Sequence, residues 1–198
     1  MTILRDFLTR HSFERCSREL VMPLYRAARA LTGNMADAED LVHDAYVKAF
    51  LAFREGEFNS VDSCRAWLFR IMINTYRDQY RRQLRRPEVE LVVSSEDGAV
   101  DDRWAADTPG PDLLAEAGLL RDAIREAVSS LLPEVRVVVV LFFIEGMKYR
   151  EIADITGCPI GTAMSRLARG REMLRAALAE GWRVDANPSD TRLPKAGT

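Results

Sequence analysis

Cysteine is scarce and scattered in this chain: Cys16, Cys64 and Cys158 are the only three, and no two of them form a CxxC pair. That spacing excludes a zinc knuckle and supplies no disulfide framework, so buried or incidental thiols are expected. Histidine is scarcer still, with only His11 and His43, and no metal site is expected. An excess of one charge is also missing, since 28 Lys and Arg face 30 Asp and Glu for a formal net charge of −2. A wholly basic nucleic-acid coat protein is therefore excluded, although local basic patches are not. The longest apolar run, residues 137–144, has eight residues, against about 20 for a membrane-spanning helix. The opening residues, MTILRDFLTRHSFERC, lack the apolar stretch of a signal peptide. No phosphate-binding glycine loop, pair of catalytic acids or nucleophile constellation is present. The expectation is a soluble, cytoplasmic protein that is not an enzyme and takes no cofactor.

What is there is helical patterning, backed by a hydrophobic fraction of 47%, enough for a packed core. Residues 3–31 space Leu4, Phe7 and Leu8 for one face and Leu20, Leu24 and Leu31 for another. Pro23 is expected to kink or interrupt this helix, and Gly33 to end it. Asn34 then reads as a cap, with Asp37 three residues on near the positive end of the helix dipole. Ala38, Leu41, Val42, Ala45, Tyr46, Ala49, Phe50 and Phe53 follow the spacing of one buried stripe. Asp37, Glu39, Asp40 and Asp44 crowd the other side of the same helix. Such acids serve either dipole complementarity and solubility or the docking of a basic partner.

After a polar loop over 54–63, a long helix runs from about Cys64 to Arg86. Its first half, AWLFRIMI, is apolar nearly all round. Its second half lines Arg70, Asn74, Arg77, Asp78, Arg81 and Arg85 along a polar strip, with five arginines and one acid between Tyr76 and Arg86. Cations for phosphates, an amide for base edges and rings for unstacked bases are what a nucleic-acid surface needs. A solvated helix end is the plainer account. From Glu88 to Asp112 the composition inverts, with eight acids against the single Arg103. This stretch, which includes Pro109-Gly110-Pro111, reads as a flexible linker.

Residues 113–132 are again amphipathic. The following VVVVLFFI has a strand-like composition. No second strand candidate lies nearby to satisfy its backbone, so it reads as a buried helix ended by Gly146. YREIADITGCPIGTAMSRLARGREMLR then gives two helices around a tight turn. Gly157 suits the left-handed C-cap and Pro159 the start of the next helix. Ile160, Ala163, Met164 and Leu167 share one side of the second helix, leaving Thr162, Ser165, Arg166 and Arg169 to face elsewhere. A helix carrying such residues just after a turn suits the major groove of DNA. An ordinary helical hairpin fits the spacing too. The tail after Trp182 is expected to be disordered. The fold class expected is all-α, two small helical domains joined by a flexible acidic linker, the second ending in a helix-turn-helix.

Three segments together resemble the extracytoplasmic function (ECF) group of bacterial sigma-70-type sigma factors. DAEDLVHDAYVKAF is similar to the conserved region-two helix and AWLFRIMINTYRDQYRR to the promoter-melting helix. LPEVRVVVVLFFIEGMKYREIADITGCPIGTAMSRLARGREMLR is similar to region four almost throughout. The resemblance implies a region-2 domain over 1–88, a linker over 89–112, a region-4 domain over 113–180 and a tail over 181–198. It implies that Asp37, Asp40, Leu41 and Asp44 dock the β′ clamp of core RNA polymerase. It assigns Asn74, Arg77, Asp78 and Arg81 to the −10 element, and Thr162, Ser165, Arg166 and Arg169 to the −35 element. Region four would also pack on the β flap. Three residues depart from the family pattern: His43 replaces a commoner glutamine, and Ala163-Met164 replaces valine and a basic residue. Met164 and PIGT also occur in a redox-responsive actinobacterial branch, which implies a zinc-binding, thiol-regulated anti-sigma partner. The alternative is a stand-alone helix-turn-helix regulator that binds duplex DNA without polymerase.

Overall fold

Small residues let the first helices approach closely. The computed structural model describes residues 2–56, 58, 64–85 and 121–185, with side chains for all of these except 2–12, 16 and 180–185. Helix α1 spans Thr2–Thr32, α2 Met35–Arg54 and α3 Cys64–Leu84. Ala27 and Ala28 of α1 and Ala38, Ala45 and Ala49 of α2 are almost fully buried. Leu24, Leu31, Leu41, Leu68, Phe69, Met72 and Ile73 fill the space between them. One end of this three-helix module is closed by aromatic rings, with Phe13 stacked on Phe53 at 4.4 Å and edge-on to Trp67 at 5.9 Å.

Of the kink or interruption expected at Pro23, the interruption does not occur: α1 runs unbroken through it. A proline removes one backbone hydrogen bond, but Leu20 and Leu24 on either side of it are buried, and their packing holds the helix together. Gly33 ends α1 with a positive φ of 84°. Asn34 caps α2 as expected, its side chain accepting from the Asp37 amide at 2.8 Å. The expected α2 stripe loses one member, because Phe50 is 53% exposed.

The second module holds a helix over 121–129 (α4), α5 over Pro133–Phe143, α6 over Tyr149–Thr156 and α7 over Ile160–Asp185. The β-branched run is helical, and Val135, Val137, Val138, Val139, Val140 and Leu141 of α5 are all buried. Among the described residues there is no strand. Pro133 occupies the first turn of α5, where a missing N–H costs nothing. Gly157 adopts φ 66° between α6 and α7. Of the four apolar residues that share one side of α7, Ala163 and Leu167 are buried, whereas Ile160 is 43% and Met164 50% exposed. Gly170 of α7 sits where α5 crosses, with Val135 Cγ1 only 3.1 Å from where a Cβ would stand and Val139 Cγ2 nearer still. Helix α7 runs to Asp185, past Trp182, so the first residues of the expected disordered tail are helical. The linker over 89–112 and residues 186–198 lie outside the described residues.

The two modules pack against each other. Arg136 of α5 donates through Nη1 to the carbonyl of Leu31 at 2.8 Å and to the Tyr76 hydroxyl at 3.3 Å. Its Nη2 donates to the carbonyls of Leu131, at 3.1 Å, and Ser129. Glu145, in the turn after α5, has its side chain 1% exposed. Arg65 Nη2 donates to its carbonyl at 2.6 Å and to its Oε2 at 3.2 Å, and Arg26 lies 3.7 Å from Oε1. Cys64 is fully buried, within the expectation of buried or incidental thiols, but it is disulfide-bonded rather than a thiol, which corrects that expectation. A disulfide needs two Cα atoms within about 7 Å in space, which sequence spacing cannot reveal. Cys158 is a free thiol, its Sγ 3.2 Å from Thr156 Oγ1.

Candidate nucleic-acid and polymerase interfaces

Helix α2 offers the acidic face. The Asn34 amide donates to Asp37 Oδ2 at 2.6 Å while accepting from the Asp37 amide, so Asp37 completes the cap as well as carrying charge. Asp40 and Asp44 are exposed, and Asp44 accepts a 3.1 Å hydrogen bond from Gln79 of α3. Leu41 has no exposed surface. It packs in the core beneath the carboxylates and holds their helix in place, so it is unavailable for direct contact in this arrangement. Lys48 Nζ donates to the buried Thr75 hydroxyl at 3.1 Å, fixing α2 against α3.

The four residues assigned to the −10 element divide. Asn74, Asp78 and Arg81 are exposed, and their spacing of four and three places them on one face of α3. Arg82 and Arg85 extend the exposed basic end of this helix. Arg77 points elsewhere and is only 16% exposed. It makes a bidentate pair with Glu134 of α5, Nε to Oε1 at 3.0 Å and Nη2 to Oε2 at 2.7 Å. Its Nη1 also donates to the carbonyl of Thr156 at 3.1 Å.

The four residues assigned to the −35 element stay together on α7. Ser165 and Arg169 are exposed, Thr162 and Arg166 half-buried. Ser165 donates to the Thr162 carbonyl at 3.0 Å, which leaves its oxygen free to accept. Arg166 Nη1 lies 3.1 Å from Glu134 Oε2. Ser165, Arg166 and Arg169 form one wall of an open groove of about 560 Å³; Leu132, Pro133 and Glu134 form the other. Near the middle of α7, Arg171 sits over the rings of Phe142 and Phe143 at 5.3 and 5.6 Å.

Glu134, Arg136 and Glu145 escape sequence reasoning. Glu134 in the first turn of α5 reads as ordinary dipole complement. No local pattern links it to Arg77, 57 positions earlier, or Arg136 to Leu31, 105 positions earlier. Among the described residues no group of three His, Cys, Asp or Glu gathers to hold a metal ion. No helix among them is long and apolar enough to cross a membrane.

This architecture defines a class: an all-helical protein of two packed modules, the second ending in a helix-turn-helix. The descriptions of Sigma-70 region 2 and Sigma-70, region 4 match residues 18–86 and 121–174. ECF RNA polymerase sigma factor SigE of Mycolicibacterium smegmatis is 34% identical over 169 residues, 85% of this chain and 62% of that protein. This chain therefore spans less than two thirds of that relative. RNA polymerase sigma-H factor of Pseudomonas aeruginosa is 32% identical over 72% of this chain and 73% of its own length. A similar solved structure is the sigma factor RpoE of Bartonella quintana in complex with the anti-sigma factor NepR. It is 30% identical, with a TM-score of 0.58 over 82% of this chain and 95% of that one. CnrH in complex with the cytosolic domain of CnrY gives 25% identity and a TM-score of 0.60 over 88% and 97%. The chain belongs to the sigma-70 family, in its extracytoplasmic function group.

Proposed function

We propose that this chain is a promoter-specificity subunit that docks on core RNA polymerase and directs initiation of transcription. The observation that carries this reading is the presence, in order in one chain, of region 2 and region 4. The exposed carboxylates of Asp40 and Asp44 supply a docking face for the β′ clamp. Thr162, Ser165, Arg166 and Arg169 contact the −35 element in the major groove, through base edges or phosphates. Asn74, Asp78 and Arg81, with the basic end of α3, hold the −10 strand once it is single-stranded. Unstacking a base costs a few kcal/mol, which phosphate neutralisation and pocket contacts offset. The chain binds and positions DNA; the polymerase performs the chemistry, so this subunit is not itself an enzyme. It acts in the cytoplasm, under control of an anti-sigma partner such as both structural neighbours carry.

The test is direct. Purified chain, freed of any partner, is added to core RNA polymerase and a library of promoter fragments. Initiation from a defined subset is expected. Failure both to bind core and to initiate overturns the reading. A stand-alone regulator would instead bind duplex DNA without polymerase, and it leaves the acidic face of α2 without a task.

A further inference from the structure

Cys64 has no part in DNA contact or polymerase docking, yet it is fully buried and disulfide-bonded. The chain holds three cysteines, and Cys158 is free, which leaves Cys16 as the partner within the chain. The surroundings of the two positions bring them together. Helix α1 carries position 16 one turn beyond Phe13 and next to Ser17. Phe13 meets Trp67, one turn beyond Cys64 on α3, edge-on at 5.9 Å. The Tyr46 hydroxyl of α2 donates to the Ser17 carbonyl at 2.6 Å, which pins this part of α1 to the module. Phe58 packs on both rings, 5.7 Å from Phe13 and 5.1 Å from Trp67. The bond therefore ties α1 to the start of α3 at the aromatic end of the first module, away from the basic end of α3.

We propose that Cys16 and Cys64 form a reversible redox staple, closed by hydrogen peroxide and opened by a dithiol reductase, that sets how long the first module stays folded. Disulfides are rare in the cytoplasm, where reductases keep thiols reduced, and those found there are mostly transient or redox-sensing. That step rests on the functional reading above, which puts the chain in the cytoplasm; the bond itself does not. Cys64 opens α3, where a helix N-terminus favours the thiolate, and fraying of one turn exposes its sulfur. The thiolate attacks one peroxide oxygen, the O–O bond breaks, and hydroxide leaves to take up the proton the thiol had lost. The sulfenic acid so formed is attacked at sulfur by the Cys16 thiol; the S–O bond breaks, water leaves and the S–S bond forms. The two thiols lose two electrons and the peroxide becomes two waters. A reductase dithiol reverses the outcome by exchange, itself becoming the disulfide. Closing the bond restricts the unfolded chain, so the oxidised module is the longer-lived one.

The experiment uses the full chain without polymerase. The chain is reduced, treated with hydrogen peroxide, quenched in acid, alkylated in denaturant and mapped by mass spectrometry. The oxidised chain should take up one alkyl group, at Cys158, and yield a peptide pair joined through Cys16 and Cys64; the reduced chain should take up three. Oxidation should raise the thermal midpoint by about 5–10 °C and lengthen the lifetime against protease by at least about tenfold. Thioredoxin with its reductase and NADPH should return all three thiols and the lower midpoint. Cys16→Ala should abolish both shifts and Cys158→Ser neither, while the native chain carries the test if the first variant fails to fold. A bond that thioredoxin leaves intact overturns the switch, as does a bond to Cys158 or between two chains, or a midpoint indifferent to oxidation. Failure of core-dependent initiation, with the bond and midpoint behaving as expected, would overturn the sigma reading and leave the staple standing.

Discussion

Gly170 is the residue where helix propensity and packing disagree. Alanine there would gain about 1 kcal/mol of helix propensity. Its Cβ would press on Val135 and Val139, whose branched side chains have little rotamer freedom inside a helix. Overpacking of this kind costs about 1–3 kcal/mol, so the packing term wins. Gly170→Ala should therefore lower the denaturation midpoint, and a midpoint raised by the substitution would show that α5 and α7 can slide apart. Met164 and Ile160 make a related point. Periodicity places them beside Ala163 and Leu167, yet both stand half-exposed. The spacing defines a side of the helix, whereas the width of the contact depends on what faces it, and α5 covers only part of that side.

At the scale of helices, most of the fold was legible. Asn34, Gly33 and Gly157 fix boundaries by local chemistry, and each acts where expected. The β-branched run was decidable because a strand without a partner leaves its backbone unsatisfied. Pro23 was not decidable, since its effect depends on how firmly its neighbours are packed. The face of α2 gives a prediction at this scale. Asp40 and Asp44 are exposed, and Asp44 has one hydrogen bond, from Gln79. Reversing both to lysine should leave thermal stability within about 0.5 kcal/mol, as for most surface changes. Core-polymerase binding, measured by gel shift or interferometry, should weaken by at least about tenfold, or 1.4 kcal/mol. Unchanged binding would remove this face from the docking surface.

The arrangement of the modules was illegible in the sequence, which suggested only a tether. Its contacts join residues tens of positions apart through side chains whose local surroundings look ordinary. Glu145 gives the packed form a pH dependence. Burial raises its pKa above the ordinary 4.5, outweighing the nearby Arg26 and Arg65 that lower it. In the separated form this shift disappears. The packed form therefore binds the proton more readily. This contribution is fully present below about pH 4.5 and is lost as pH rises through the raised value. Relative to Glu145→Gln, the native chain should lose thermal stability as pH rises across that window. A constant difference between the two at every pH would show that burial of the carboxylate has no net cost.

The shared carboxylate of Glu134 also bears on how ionic strength should act. Each phosphate contact made with a duplex releases counterions, so binding weakens steeply with salt, by a log–log slope of about −0.9 per phosphate. Salt also screens the pairs that Glu134 makes with Arg77 and Arg166, and so favours release of the two guanidiniums. The two steps respond with opposite sign. For this chain without polymerase, the apparent slope would then fall short of the number of phosphates touched, and counting contacts from a salt titration would undercount them. With Glu134 replaced by glutamine the slope should move closer to the number of phosphates touched.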